Sequence, residues 1–118
     1  QAPIQELVAN SDAALRAARA GHVEAMTAVW DIAQTGAEVP LRLRAQVYAS
    51  SYYAIDVIRD TISRLYARGT RAAFQQGHPV ERALRNLHAI SFGLEPGRMF
   101  QHSAGRVLME GEPLVPVF

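Results

Sequence analysis

One segment of the chain repeats its side chains at helical spacing more strictly than any other. From residue 48 to residue 65 a stripe advances by three or four positions at every step: Tyr48, Ser51, Ile55, Ile58, Ile62 and Leu65. That spacing puts all six side chains on one face of an α-helix. We predict a helix from Pro40 to Arg68–Gly69, about 40 Å long at 1.5 Å per residue.

Helix breakers divide the remaining sequence into three further helical segments. A first helix is expected from Pro3 to Thr35–Gly36, and a third begins at Pro79. Either Phe92-Gly93 or Glu95-Pro96-Gly97 interrupts the third, after which a fourth continues to 110–113. Alanine, the strongest helix former, occurs 20 times. We therefore predict an all-α fold, an up-and-down four-helix bundle over 1–109 with an apolar tail at 110–118.

The second helix carries more apolar surface than one neighbouring helix can cover. Several apolar side chains lie off its main stripe: Val47, Tyr52, Tyr53, Ala54 and Val57. A helix that is apolar over more than about 100° of arc is covered on more than one side. We expect this face to meet another subunit or another domain, which predicts a homo-oligomer, either a dimer or a tetramer.

Charge and composition exclude several classes of function. The net charge of +1 argues against a dedicated nucleic-acid binder, and the chain has no cysteine for thiolate chemistry or disulfides. No apolar run reaches the roughly 18 residues of a membrane span, and no signal-peptide pattern opens the chain. The four His residues form no i,i+4 pair, and no Glu stands three residues before any of them. We therefore predict no metal site, no membrane span and no nucleic-acid partner.

All twelve basic residues are arginine, and they concentrate in the middle of the chain. Between Arg42 and Arg85 there are eight arginines against three acidic residues. Such a region fits an anionic partner such as a phosphate group, and it equally fits solvated helix faces or ion pairs between subunits.

The segment at 78–89, which reads HPVERALRNLHA, resembles a Pro-hydrophobe-Glu-Arg-x-x-Arg-Asp-x-His signature. That signature belongs to the acyl-CoA dehydrogenase superfamily, in the branch shared with two-component flavin-dependent monooxygenases. The segments at 44–47 and 65–69 fit the same domain, and the Gly-Arg-Val-Leu at 105–108 resembles its closing Gly-Arg-x-Leu. The resemblance extends from about Gln5 to Leu108.

The resemblance implies that the chain is the four-helix C-terminal domain of a larger flavin-dependent oxidoreductase. An N-terminal helical domain and a β domain would precede it, and the absence of an initiator Met at Gln1 suits a fragment. The loop after the second helix would approach the diphosphate of FAD or FMN bound to a neighbouring subunit. By position, the implied cofactor-binding residues are Arg68, Gly69, Thr70, Arg71 and Arg85.

Two residues stand near positions that are catalytic in this superfamily. Glu95 lies close to the place of a proton-abstracting Glu, although Pro96 follows it where Gly is expected. His88 is the candidate for a position beside the flavin, or else a helix-packing residue, and Gly93 stands where the monooxygenases carry a second His. Asn86 replaces the usual Asp. The resemblance is therefore compatible with either a dehydrogenase or a monooxygenase.

Two hypotheses of function follow. In the first, the domain contacts flavin and holds an oligomer together in a cytoplasmic oxidoreductase; alone it would be inactive and would retain no flavin. In the second, it is a stand-alone helical module for self-association or interaction. An independent metal- or ligand-binding bundle is disfavoured by the His and Glu spacings.

Overall fold

The computed structural model describes residues 2–68, 79–114 and 118. The described elements are all helical, which confirms the all-α prediction. They are α1 (Ala2–Gln34), α2 (Leu41–Ala67), α3 (Pro79–Leu94), a 3₁₀ turn (Glu95–Gly97) and α4 (Arg98–Glu110).

The helix ends follow from the local sequence. Gly36, at φ +79°, and Gly111, at φ +82°, adopt the left-handed conformation that terminates α1 and α4. Gly111 also caps α4 by donating its backbone N–H to the Val107 carbonyl at 2.9 Å. Of the two predicted interruptions, the one at Glu95–Gly97 is present, as a 3₁₀ turn. Phe92 and Gly93 lie within α3 instead.

Helix α2 lies at the centre and contacts α1, α3 and α4. It runs antiparallel to α1, since His22 reaches Ser50 while Arg68 meets the first turns of α1 around Leu7. It also runs antiparallel to α4, where Tyr48 stacks on Phe100 with ring centroids 5.1 Å apart. Helices α3 and α4 each pack on α2 but not on each other, so they follow one another along α2 instead of forming a hairpin. The described helices thus form three antiparallel segments, namely α1, α2, and α3 continued by α4. The predicted up-and-down four-helix bundle is not confirmed.

The hydrophobic core within the described residues is small. Its buried apolar members are mostly alanines: Ala18, Ala25, Ala45, Tyr52, Ala104 and Val107. Around Ala45, Ala104 and Val107 pack partly buried side chains, among them Tyr48 and Phe118. The rings of Phe118 and Tyr48 lie 4.8 Å apart, so the last residue of the apolar tail contacts α2.

The chain exposes more surface than its mass requires. Its accessible surface is 8017 Å², whereas a compact monomer of 12.9 kDa exposes about 6,300 Å². Its radius of gyration is 17.4 Å, against about 13.5 Å for a compact domain of this length. Among the residues that the structure describes, fourteen large apolar side chains are exposed, Phe92 and Met109 most of all at 85% and 84%. Among the described helices, none is both long and apolar enough to cross a membrane.

Candidate functional site

A cluster of four alternating charges fixes the turn between α3 and α4 against α2. We call Asp56, Arg59, Glu95 and Arg98 the junction cluster. Arg98 donates two parallel hydrogen bonds to the Asp56 carboxylate, at 3.0 and 3.1 Å, and a third to Glu95 Oε1 at 2.9 Å. Arg59 pairs with Asp56 and lies 3.7 Å from Glu95 Oε1. A guanidinium that binds a carboxylate through two bonds fixes orientation as well as distance.

The cluster keeps both of its carboxylates ionised. Burial of the Asp56 carboxylate opposes its ionisation, but the hydrogen bonds from Arg98 and Arg59 lower its pKa below the usual value. The hydrogen bond from Arg98 likewise lowers the pKa of Glu95. In return, the hydrogen bonds to Glu95 and Asp56 raise the pKa of Arg98. The cluster therefore holds its charges throughout the neutral range.

Tyr52 and Gly97 lie directly beneath the cluster. The guanidinium carbon of Arg98 stands 4.9 Å from the centroid of the Tyr52 ring, a cation–π distance. Gly97 faces the same ring so closely that a Cβ there would overlap the Tyr52 hydroxyl oxygen and lie 3.8 Å from Cζ. This close approach of backbone to ring explains why glycine occupies the third position of the Glu95–Gly97 turn.

Glu95, one of the two predicted catalytic residues, is thus a member of the junction cluster. Its carboxylate already accepts a hydrogen bond from Arg98, and its lowered pKa makes it a weak base near neutral pH. Proton abstraction by Glu95 therefore requires that Arg98 release it first. Its catalytic role stays a prediction.

The second predicted catalytic residue, His88, is exposed on α3. It forms no hydrogen bond or ion pair with any residue that the structure describes. Arg85, one helical turn earlier, is also exposed and lies 3.9 Å from the Glu81 carboxylate. Phe92, one turn after His88, exposes 85% of its surface. This outer face of α3 thus combines a cation, an imidazole and an aromatic ring.

Counting residues along α2 and α3 puts Arg68 and Arg85 at about the same level. Arg59 of α2 lies beside Glu95, and the two helices run antiparallel from there. Nine residues along α2 lead to Arg68 and ten residues back along α3 lead to Arg85, about 14–15 Å in each case. Arg68 is exposed in an open groove of about 240 Å³, and the other lining residues come from α1: Pro3, Glu6, Leu7 and Asn10. The predicted residues Gly69, Thr70 and Arg71 lie outside the described residues.

Two polar groupings between helices were not predicted. One is the junction cluster, whose sequence signal was the Glu95–Arg98 spacing of three residues within a turn. The other joins α1 to α2, where His22 Nδ1 lies 3.0 Å from Ser50 Oγ and 3.4 Å from Ser51 Oγ. Both hydroxyls donate to the Val47 carbonyl, so Nδ1 carries the proton that the imidazole donates. No sequence pattern pairs residues that lie 28 positions apart.

Within residues 2–68 and 79–114, no three His, Asp or Glu side chains come together in a group that could hold a metal ion. The polar chemistry of the described surface therefore rests on arginines, carboxylates and single imidazoles.

Comparison with known proteins identifies the family. Neither the curated proteins nor the solved structures include a match to the chain. The family model described as acyl-CoA dehydrogenase, C-terminal domain, matches residues 1–92. This match covers more than three quarters of the 118 residues and includes the motif at 78–89. The chain therefore belongs to the family of acyl-CoA dehydrogenase C-terminal domains.

Proposed function

We propose that the chain is the flavin-contacting and oligomerising C-terminal domain of an acyl-CoA dehydrogenase-like oxidoreductase, inactive on its own. The observation that carries this proposal is the family match over residues 1–92, together with the small hydrophobic core of the described residues. The enzyme's other domains would supply most of the flavin and substrate site. A cytoplasmic location and a reaction of either the dehydrogenase or the monooxygenase type belong to the same proposal.

The large accessible surface of the chain supports the oligomerising role. The chain exposes about 1,700 Å² more than a compact monomer of its mass. A stable protein–protein interface covers about 800 Å² on each partner. The excess is therefore enough for two such contacts, for example one with another subunit and one with another domain.

The end of α2 supports the flavin-contacting role. Arg68 is exposed, and no carboxylate among the described residues forms an ion pair with it. Its planar guanidinium suits a diphosphate, which it can bind through two parallel hydrogen bonds. Arg85 would add a second positive charge at the same level of the domain. FAD or FMN, when bound, supplies the capacity to accept hydride or electrons.

The two predicted catalytic residues differ in whether their side chains are available to a bound group. His88 is exposed and unpaired among the described residues, one turn from Arg85, so it is available to a group bound over this face of α3. Glu95 becomes available as a base only when substrate or a neighbouring domain displaces Arg98. We therefore propose His88 as the residue nearer to the flavin.

Titration of the 118-residue chain with FAD and with FMN, followed by flavin fluorescence, tests whether the domain is only part of a flavin site. We expect weak or no binding to the chain, because the groove that the described residues form at Arg68 is open and does not enclose an isoalloxazine ring. Sub-micromolar binding to the chain alone would contradict the proposal.

In the longer enzyme that the proposal implies, Arg68→Gln and Arg85→Gln should each lower the bound flavin after purification. Arg42→Gln is the matched control, because it removes the same charge from an exposed position at the opposite end of α2. Equal flavin content in all three variants would contradict the assignment of the two arginines.

A second candidate function is a stand-alone module for self-association. The exposed apolar surface favours it as much as it favours the first. The polypeptide mass of the native gene product separates the two, since the stand-alone module requires 12.9 kDa and the flavoenzyme several times that mass.

A further inference from the structure

A second apolar stripe runs along α1, beside the face that packs on α2. It advances by four, four and three residues and then repeats: Ile4, Val8, Asp12, Leu15, Arg19, Val23, Met26 and Trp30. Its six apolar members expose between 37% and 61% of their surface. The side toward α2 is formed by other residues, including the buried Ala18 and Ala25. The stripe is therefore additional to the face that α1 already buries.

The repeat length explains how the stripe stays on one side of a long helix. Residues 4, 15 and 26 are spaced by eleven positions, as are residues 8, 19 and 30. Eleven residues correspond to about 3.67 residues per turn, close to the 3.6 of a straight helix. The stripe thus stays nearly parallel to the axis of α1 for about 39 Å.

The two charges within the stripe decide what can cover it. Asp12 and Arg19 lie on either side of Leu15, three residues before it and four after it. Pairing two copies of the stripe in parallel would oppose like charges at both positions. Pairing them antiparallel about Leu15 brings Asp12 of each copy opposite Arg19 of the other, twice, by symmetry. Asp12 has room for this contact, because its side chain is 66% exposed and its ion pair with Arg16 lies at 3.6 Å.

The apolar side chains fit the same antiparallel register. With Leu15 on the two-fold axis, Ile4 comes opposite Met26 and Val8 opposite Val23 of the second copy. Within the overlap from Ile4 to Met26, apolar side chains thus meet apolar ones outside the two ion pairs, while Trp30 lies beyond the overlap.

We propose that this stripe of α1 is a homodimer interface, in which two copies of the chain pair antiparallel with Leu15 at the two-fold axis. The proposal rests on the oligomerising role and names its surface. The overlap from Ile4 to Met26 spans about 33 Å of helix. One helix face of that length lies at the small end of specific interfaces, so the dimer of this chain should dissociate on dilution.

Disulfide cross-linking tests the register, because the chain contains no cysteine of its own. In the Leu15→Cys variant, the two thiols meet at the axis and mild copper-phenanthroline oxidation should link most of the protein into a dimer. Ala13→Cys is the matched control, since residue 13 is exposed on the opposite side of α1. Equal cross-linking of both variants, or no dimer from Leu15→Cys, would overturn the proposal.

Charge reversal tests the pairing of Asp12 with Arg19 between the two copies independently, and sedimentation equilibrium measures the dimer. Asp12→Arg and Arg19→Asp should each weaken the dimer at least tenfold, because each places like charges opposite one another at both contacts. An equimolar mixture of the two variants should dimerise as tightly as the unaltered chain, because every contact is then complementary. A mixture that dimerises no better than either variant alone would refute the register.

The outcomes also separate this proposal from the oligomerising role on which it rests. If the chain forms an oligomer but Leu15→Cys does not cross-link, the oligomer uses another face. That result overturns the proposed interface and leaves self-association intact. A chain that stays monomeric at high concentration, unaltered or substituted, overturns both, and the α1 stripe would then be covered by another domain.

Discussion

Replacement of Gly97 by alanine probes the contact that sets the turn between α3 and α4. Gly97 has φ −83° and ψ 0°, which alanine adopts without backbone strain. The effect of Gly97→Ala therefore comes from the added methyl group, which would overlap the Tyr52 hydroxyl oxygen. Tyr52 cannot easily yield, because it is 8% exposed and covered by the Arg98 guanidinium.

The magnitude follows from two opposing terms. Overpacking of a buried contact costs about 1–3 kcal/mol. The lower chain entropy of alanine in the unfolded state returns about 0.4–1 kcal/mol. We expect a net loss of about 1–2 kcal/mol, which for 118 residues lowers Tm by about 4–8 °C. Thermal and urea unfolding, followed by circular dichroism, measure both quantities.

Two further variants show whether the overlap is the cause. Gly93→Ala lies within α3 with nothing within 4 Å of its Cβ, so it should stabilise the chain by about 0.5–1 kcal/mol. In a Tyr52→Phe background the hydroxyl is gone and the nearest ring carbon lies at an ordinary 3.8 Å, so Gly97→Ala should cost almost nothing. An equal cost in both backgrounds would refute the reasoning.

Three other predictions concern the junction cluster, a buried hydroxyl and the surface of α3. Arg98→Met should destabilise the chain by about 1–2 kcal/mol at pH 7. Folding lowers the pKa values of Asp56 and Glu95, so the loss of stability in Arg98→Met should keep its full size above about pH 5 and shrink as the pH falls below about 4. Urea unfolding of both proteins at several pH values measures this loss. Ser91→Ala should leave urea stability unchanged or raise it by up to about 1 kcal/mol, because the Ser91 hydroxyl is buried without a described hydrogen-bond partner. Phe92→Ser should change Tm by less than about 2 °C in a dilute thermal melt, because the ring is 85% exposed.

The sequence predicted the elements of the fold well, because each boundary has a local cause. Gly36 and Gly111 end helices by a left-handed turn, and Pro40 and Pro79 stand at the starts of α2 and α3. The all-α class followed from the same pattern. The family resemblance followed from the motif at 78–89, and the family match confirms it.

The sequence predicted the packing less well, because burial depends on which helix lies opposite. Ile4 and Leu15 are large apolar residues of α1, yet they are 40% and 37% exposed. Tyr52 lies off the predicted stripe of α2, yet it is buried beneath Arg98. The junction cluster joins Asp56 to Arg98 across 42 positions, and helical periodicity carries no information about such pairs.

We propose that this domain belongs to a larger flavin-dependent enzyme, and the native protein itself tests this most directly. An antibody raised against the 118-residue chain can isolate the native protein from its source cells, so that polypeptide mass and the flavin absorbance spectrum are measured on one sample. We predict a polypeptide several times 12.9 kDa that carries stoichiometric flavin. A polypeptide of 12.9 kDa without flavin would contradict the claim and favour a stand-alone helical module.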